Sequence, residues 1–151
     1  KWRLFAEAPF RNPPETELFD LLRRARNVAI VGLSADRSRP SHGVARSLQK
    51  FGYRIIPVNP SADSILGEPC VPTLAAAVAA LPAGERIDIV DVFRRPEHVS
   101  AIVDECIALH LPALWLQDGV IDEAAARRAR TAGVFTVMDR CIFRDRAALP
   151  T

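Results

Sequence analysis

Glycine, serine and arginine are concentrated in residues 32–43, GLSADRSRPSHG, between an aliphatic run and an amphipathic stretch. The first turn of a helix offers free backbone N–H groups and the positive end of a dipole, both of which favour anions. Hydroxyls can bind a phosphate, and arginine can bind it through two parallel hydrogen bonds. The candidate phosphate ligands in this loop are Gly32, Leu33, Ser34, Arg37, Arg39, Ser41 and His42.

This loop matches neither of the common phosphate-binding motifs. Only Gly32 fits a GxGxxG pattern, and the GxxxxGK[ST] pattern of P-loop ATPases is absent from the sequence. ATP hydrolysis of the P-loop type is therefore not supported. The alternative for the loop is a solvated turn whose arginines face water, and the alternative for His42 is a surface position.

Short aliphatic runs, typical of strands, alternate along the chain with amphipathic stretches, typical of helices, and these elements must position the loop. Such alternation predicts an α/β fold with a doubly wound, mostly parallel five-stranded Rossmann-like sheet and helices on both faces. Residues 1–14 are expected to be an irregular lead-in to a single domain over residues 15–151, with residues 59–72 forming a long loop. The predicted strands span residues 27–32, 53–58, 87–92, 113–116 and 134–138, and the predicted helices span 15–26, 40–51, 73–81, 96–110 and 122–132.

Ligands of doubly wound sheets bind at the carboxyl ends of the strands. Sheets that bind NAD usually place an acidic residue at the end of the second strand, for the ribose hydroxyls. Here that strand ends in Val58, Asn59 and Pro60. A phosphorylated ribose suits Arg or Asn better than Asp, so this end of the sheet disfavours NAD.

Composition narrows the classes of function. A length of 151 residues suits one domain, and a net charge of +2 suits a small anionic ligand better than nucleic acid. Cys70, Cys106 and Cys141 have neither a CxxC spacing nor a paired histidine, so we expect no metal site and a reducing, cytoplasmic location. No apolar run approaches the roughly 20 residues of a membrane span.

Five segments together resemble the small CoA-binding proteins of the succinyl-CoA synthetase α-subunit N-terminal type. They are VGLS, PVNP, DVFRR, WLQDGV and MDRC, within residues 27–141. The resemblance implies a Rossmann-like fold that binds coenzyme A. It places the diphosphate on Gly32, Ser34, Arg37 and Arg39, the adenosine near Val58, Asn59, Pro60, Val92, Phe93 and Arg94, and the pantetheine towards Gln117, Gly119 and Cys141.

The same resemblance implies a small-molecule ligand, CoA or an acyl-CoA, and no defined catalysis. We therefore expect a carrier, a sensor or a partner module, with any protein partner unidentified. The alternatives are an NAD(P)-linked oxidoreductase and an acyl-CoA-handling enzyme subunit. The synthetase relatives add a phosphohistidine domain, for which this chain leaves no room.

Three further residues, Cys141, Asp91 and Trp115, carry their own expectations. Arg140 could favour the thiolate of Cys141, which could then form a mixed disulfide with CoA; the alternative is a small residue that closes the sheet. Asp91 could orient a loop by accepting backbone N–H groups. Trp115 is expected in the core.

Overall fold

The structure is a computed structural model that describes residues 8–150. Residues 1–7 of the predicted lead-in and Thr151 lie outside the described residues. The elements, in chain order, are α1 (Glu15–Arg24), β1 (Asn27–Val31), α2 (Pro40–Lys50), β2 (Arg54–Val58), β3 (Ser64–Ile65), β4 (Glu68–Pro69), α3 (Leu74–Ala80), β5 (Ile89–Val92), a 3₁₀ turn (Pro96–His98), α4 (Val99–Ala108), β6 (Ala113–Leu116), α5 (Glu123–Thr131), β7 (Phe135–Val137) and α6 (Ile142–Ala147).

The main sheet has the order β2–β1–β5–β6–β7, and every neighbouring pair is parallel. β1, β5 and β6 are buried at every position, which explains their continuous Val, Ile and Leu composition. One core cluster packs α3, α4 and α5 on one face, and a second packs α1, α2 and α6 on the other. The predicted doubly wound sheet with helices on both faces is confirmed.

Local sequence accounts for several helix boundaries. Thr73 and Asp122 accept hydrogen bonds from Ala76 N and Ala125 N, at 3.0 Å each, and so begin α3 and α5. Pro40 begins α2, a position where its missing N–H costs nothing. Within residues 8–150, no helix is long and apolar enough to cross a membrane.

Three local predictions need correction. Residues 59–72 are not only loop, because β3 and β4 form a short antiparallel hairpin within them. Residues 96–110 begin as a 3₁₀ turn before α4 starts at Val99. The unassigned tail contains α6, which packs against α1 and α2.

The described part of the lead-in is irregular, yet it is fastened to the edge of the sheet. Asn12 donates from Nδ2 to Met138 O at 2.9 Å and accepts from Met138 N at 2.7 Å. The guanidinium of Arg130 lies 4.0 Å from the centre of the Phe10 ring. The side chain of Asn12 thus makes the two backbone hydrogen bonds that a neighbouring strand would make next to β7.

Candidate ligand-binding site

A cleft of about 830 Å³ opens at the carboxyl ends of β1, β5 and β6. From β1 the chain runs through α2 to β2 on one side of the sheet, whereas from β5 it runs through α4 to β6 on the other. The cleft therefore lies at a topological switch point, where doubly wound sheets bind ligands. The predicted site residues that line it are Gly32, Ser34, Arg39, Ser41, Phe93, Arg94, Gln117, Gly119 and Cys141.

The loop between β1 and α2 is shaped by its own side chains. Ser34 N donates to Ser41 Oγ at 3.0 Å, and Asp36 N donates to Ser34 Oγ at 3.0 Å. Asp36 Oδ1 in turn accepts from Ser38 N at 2.9 Å and from Ser38 Oγ at 2.7 Å. These bonds to Ser38 hold the pKa of Asp36 below its ordinary value. The serine hydroxyls therefore build the turn as well as lining the cleft.

The start of α2 faces this cleft without a side-chain cap from the described residues. Arg39 precedes the helix in an extended conformation, with φ −78° and ψ 142°. The side chains of Arg39 and Arg94 line the cleft, and neither forms a hydrogen bond or an ion pair with another residue of the range 8–150. An uncapped helix start and two unpaired guanidinium groups make this end of the cleft attractive to anions.

Gly32 is required here by its contact with the next strand. Its φ is +84°, and a Cβ at this position would lie 2.6 Å from Phe93 O and 2.9 Å from Arg94 Cδ. The side where a Cβ would stand is filled by the segment after β5. Gly32 also lines the cleft.

The other predicted site residues lie outside the cleft. Leu33 and Val92 are fully buried in the core, and Val58 is buried at the end of β2. Asn59 holds two loops together, since its Nδ2 donates to Leu33 O at 2.9 Å and its Oδ1 accepts from Ser61 N at 2.7 Å. Pro60 follows on the surface.

Arg37 and His42 face away from the cleft. Both line a separate recess of about 260 Å³, on the other side of the loop between β1 and α2. His42 is only 4% exposed, and its Nδ1 has no hydrogen-bond partner among the described residues. The loop thus presents Ser34 and Arg39 to one cavity and Arg37 to another.

The far wall of the cleft is held by bonds over long sequence separations. Gln117 Oε1 accepts from Ile142 N at 3.0 Å, which joins the end of β6 to the start of α6. Asp139 Oδ1 accepts from Gly119 N at 2.8 Å. Asp118 forms a two-point ion pair with Arg144 at 2.7 Å, at the exposed rim.

Cys141 lines this wall and is 8% exposed. Arg140 beside it is engaged with Asp145, at 2.9 Å through Nε and 2.6 Å through Nη2, and this hydrogen-bonded pairing raises the pKa of Arg140. Trp115 is fully buried, as expected, and donates from Nε1 to Arg140 O at 2.9 Å. The guanidinium of Arg140 is therefore paired with Asp145 of α6 and is not an unpaired charge beside the Cys141 thiol.

Asp91 does not orient a loop. It lies in β5 between Ile30 and Trp115, it is fully buried, and neither carboxyl oxygen has a hydrogen-bond partner within the described range. Burial raises its pKa well above the ordinary value of 3.8. Burial in the sheet therefore favours the protonated, uncharged form of this carboxyl.

Several residues that line the cleft were not predicted from the sequence. Two of them, Asp118 and Arg144, form an ion pair. The only signal for Arg144 would have been a helix in the tail, and that helix is six residues long. The residues added by the structure are Pro40, Val44, Arg95, Pro96, Asp118, Val120 and Arg144. Among residues 8–150, no group of three His, Cys, Asp or Glu side chains is placed to hold a metal ion.

Comparisons with known proteins agree with this architecture. The uncharacterized protein YneT of Bacillus subtilis (strain 168) is 37% identical over 132 residues, which cover 87% of this chain and 93% of that protein. The solved structure of cell-free ID.343 from Thermus thermophilus is 34% identical, with a TM-score of 0.81, and the match covers 91% of this chain and all of that one.

A more distant structure shares the fold alone. It is a dinucleotide-forming acetyl-coenzyme A synthetase of Ca. Korarchaeum cryptofilum, 23% identical, with a TM-score of 0.61, and this chain covers 27% of its length. The model of the family described as CoA binding domain matches residues 26–146, which include every strand of the sheet and all the cleft residues. The chain therefore belongs to the CoA-binding domain family.

Proposed function

We propose that this chain binds coenzyme A or an acyl-CoA in the cleft, as a ligand-binding module without chemistry of its own. The observation that carries the proposal is the anion-binding end of the cleft. Arg39 and Arg94 both line the cleft, and Arg39 directly precedes α2, which has no side-chain cap. Neither guanidinium forms a hydrogen bond or an ion pair with a described residue. The volume of about 830 Å³ lies within the usual range of small-molecule sites, roughly 300–1,000 Å³.

The diphosphate and the pantetheine arm of CoA can each be assigned to residues that line the cleft. The diphosphate would bind at the start of α2, held by the backbone N–H of Ser41 and by Arg39 and Arg94. The pantetheine arm would extend along Gln117 and Gly119 towards Cys141. CoA would bring the thiol or thioester, and the chain would supply position and charge.

The cleft favours binding over catalysis. The hydroxyls of Ser34 and Ser41 accept hydrogen bonds from the loop backbone, and neither donates to a side-chain base among the described residues. Within the described range, the cleft lining contains no histidine. A carrier, a sensor or a partner of an acyl-CoA enzyme is the role that this arrangement supports.

The three cysteines suit a reducing compartment. Cys70, Cys106 and Cys141 are all free thiols. Proteins of the cytoplasm keep thiols reduced. We therefore include a cytoplasmic location in the proposal.

Calorimetric titration tests the main claim. CoA, acetyl-CoA, NAD and NADP would each be titrated into the wild-type chain and into Arg94→Ala. CoA is expected to bind, and Arg94→Ala is expected to lose about 1–3 kcal/mol of its binding free energy, because a charge-assisted bond is removed. Arg23→Ala, an exposed position on α1, is the matched control and should bind as the wild type does.

The competing functions have distinct outcomes in the same titration. NAD or NADP binding without CoA binding would establish the oxidoreductase alternative and overturn the proposal. CoA binding that the Arg94→Ala change leaves untouched would place the ligand elsewhere.

A further inference from the structure

The surface around α3 carries no charge. Charged residues make up 25% of the chain, yet residues 69–84, PCVPTLAAAVAALPAG, contain none. Part of this segment is open to solvent, because Ala75, Val78, Ala79 and Ala80 of α3 are all exposed. Ala75, Val78 and Ala79 are three or four residues apart and therefore share one helix face, which we call the α3 patch. Contiguous exposed apolar surface commonly marks a contact with another molecule.

Val78 projects from the centre of the α3 patch. Its residue is 40% exposed, and it is one of three large apolar residues that are exposed within the described range. The side chains on either side of it along the helix face, Ala75 and Ala79, are small. The isopropyl group of Val78 therefore stands above its surroundings on this surface.

A partly enclosed pocket of about 80 Å³ lies beside the α3 patch, between α3 and the edge strand β2. Leu81 lines this pocket, and its N–H donates to Val78 O at 3.4 Å, so the pocket and Val78 are neighbours. The lining residues are Arg54, Ile55, Ile56, Glu68, Pro69, Val71, Ala77, Ala80 and Leu81.

The size and the walls of this pocket suit one small apolar side chain. Its volume is more than twice the roughly 30 Å³ that one water molecule occupies in the liquid. The walls from Ile55, Ile56, Val71 and Leu81 are aliphatic, and apolar walls without a neighbour lose dispersion contacts that an inserted side chain would restore. A valine is a side chain of the right kind.

The rim of the pocket carries both signs of charge. Arg54 and Glu68 both line it. The guanidinium of Arg54 lies 3.7 Å from Glu85 Oε2, whereas Glu68 forms no ion pair with another residue of the described range. An apolar centre with a polar rim is the usual anatomy of a protein interface. The unpaired carboxylate of Glu68 calls for a cation from outside the chain.

We propose that the α3 patch is the contact surface of a homodimer, in which two copies of this chain pack across a two-fold axis. Val78 of each copy enters the pocket of the other, and Arg54 of each copy faces Glu68 of the other. A two-fold contact uses the same surface on both copies, so that surface must be complementary to itself. The α3 patch and its pocket meet this condition, since they combine a projection, a hollow and both signs of charge.

The contact is small and separate from the cleft. With seven residues, α3 is roughly 10 Å long, so the buried surface is less than the roughly 800 Å² per partner of a standard interface. We therefore expect a micromolar dissociation constant and dissociation on dilution. None of the residues that line the pocket also lines the cleft, and the inference does not depend on the proposed function.

Sedimentation velocity tests the dimer directly. The wild-type chain is expected to be a monomer at about 5 µM and largely a dimer at about 200 µM. Val78→Glu should stay monomeric at both concentrations, because a buried charge without a partner opposes association. Ile121→Glu is the matched control, since Ile121 is 45% exposed but lies outside the α3 patch, and it should dimerise as the wild type does.

Two results of this experiment would overturn the proposal. A wild-type chain that stays monomeric at the higher concentration would exclude the dimer. A dimer that Val78→Glu leaves intact would have to form through another surface. Circular dichroism would confirm that Val78→Glu is folded, which is expected because Glu is at least as good a helix former as Val.

An exchange of charges tests the two-fold arrangement without changing Val78. Glu68→Arg and Arg54→Glu should each be monomeric alone, because like charges then meet across the axis. An equimolar mixture of the two variants should form a heterodimer, since every arginine at the contact then faces a glutamate. Circular dichroism would confirm that both variants are folded. A mixture that stays monomeric, or either variant dimerising alone as tightly as the wild type, would contradict the pairing of Arg54 with Glu68.

Discussion

The side-chain amide of Asn59 donates to the carbonyl oxygen of Leu33 at 2.9 Å, which ties the loop after β2 to the loop after β1. An aspartate at this position, the residue that NAD-binding sheets use, could not donate that bond. We expect Asn59→Asp to lower the free energy of unfolding by about 1 kcal/mol, measured by urea denaturation, without creating NAD affinity. Unchanged stability together with NAD binding would contradict this reasoning.

Gly32 should tolerate no side chain. Gly32→Ala would combine a φ of +84° with a Cβ only 2.6 Å from Phe93 O. We expect a loss of more than about 2 kcal/mol in unfolding free energy, from backbone strain and overlap together. Gly52→Ala is the control, because Gly52 has a φ of +102° but open space where the Cβ would stand. Equal losses of unfolding free energy in the two variants would show that overlap of the new Cβ with Phe93 O does not destabilise the fold.

Asp91 should make stability fall as pH rises. Its folded-state pKa is well above the ordinary 3.8, so the folded chain binds the proton more tightly than the unfolded chain does. The free energy of unfolding therefore decreases from about pH 4 up to the folded-state pKa. Asp91→Val, similar in volume and suited to a strand, should raise stability at pH 7 by about 2 kcal/mol and flatten this dependence.

Urea denaturation of the wild-type chain and of Asp91→Val at roughly pH 4.5, 6 and 7.5 measures the difference in their free energies of unfolding. The gain from Asp91→Val should be smallest at the lowest pH, where the unfolded wild-type chain also holds part of its proton. A variant less stable than the wild type at pH 7 would show that the carboxyl makes a favourable contact in solution.

Cysteine alkylation should report on the ligand. Cys141 lines the cleft, so CoA is expected to slow its modification by iodoacetamide, with peptide mass spectrometry as the readout. Cys70 lies outside the cleft and is the internal control. Cys106 should stay unmodified in the folded chain, because burial raises its pKa to about 12. Equal rates at Cys141 with and without CoA would argue against a pantetheine arm at this wall.

The sheet could be predicted from the sequence because each strand carries its own signal. Val28, Ile30 and Val92 belong to continuous apolar runs, and such runs, alternating with amphipathic stretches, specify a parallel sheet. The carboxyl ends of these runs then located the cleft. The β3–β4 hairpin escaped prediction because two-residue strands have no measurable period.

Which cavity each arginine of the loop between β1 and α2 lines could not be predicted, because it depends on the direction in which the side chain points and not on the residue type. Arg37 and Arg39 are two residues apart and chemically identical, yet one faces the recess and the other the cleft. The turn closed by Asp36 and Ser38 decides which way each points. Likewise α6 depends on Gln117, which holds its first N–H from 25 residues away.

Asn12 also has a consequence for how copies of this chain behave in concentrated solution. By giving Met138 both a donor and an acceptor, it satisfies backbone groups at the margin of β7 that could otherwise recruit a strand from another molecule. A domain trimmed to begin at Glu15 would lose this protection along with Phe10. We expect such a truncated form to aggregate through its sheet edge while keeping its ligand-binding residues unchanged.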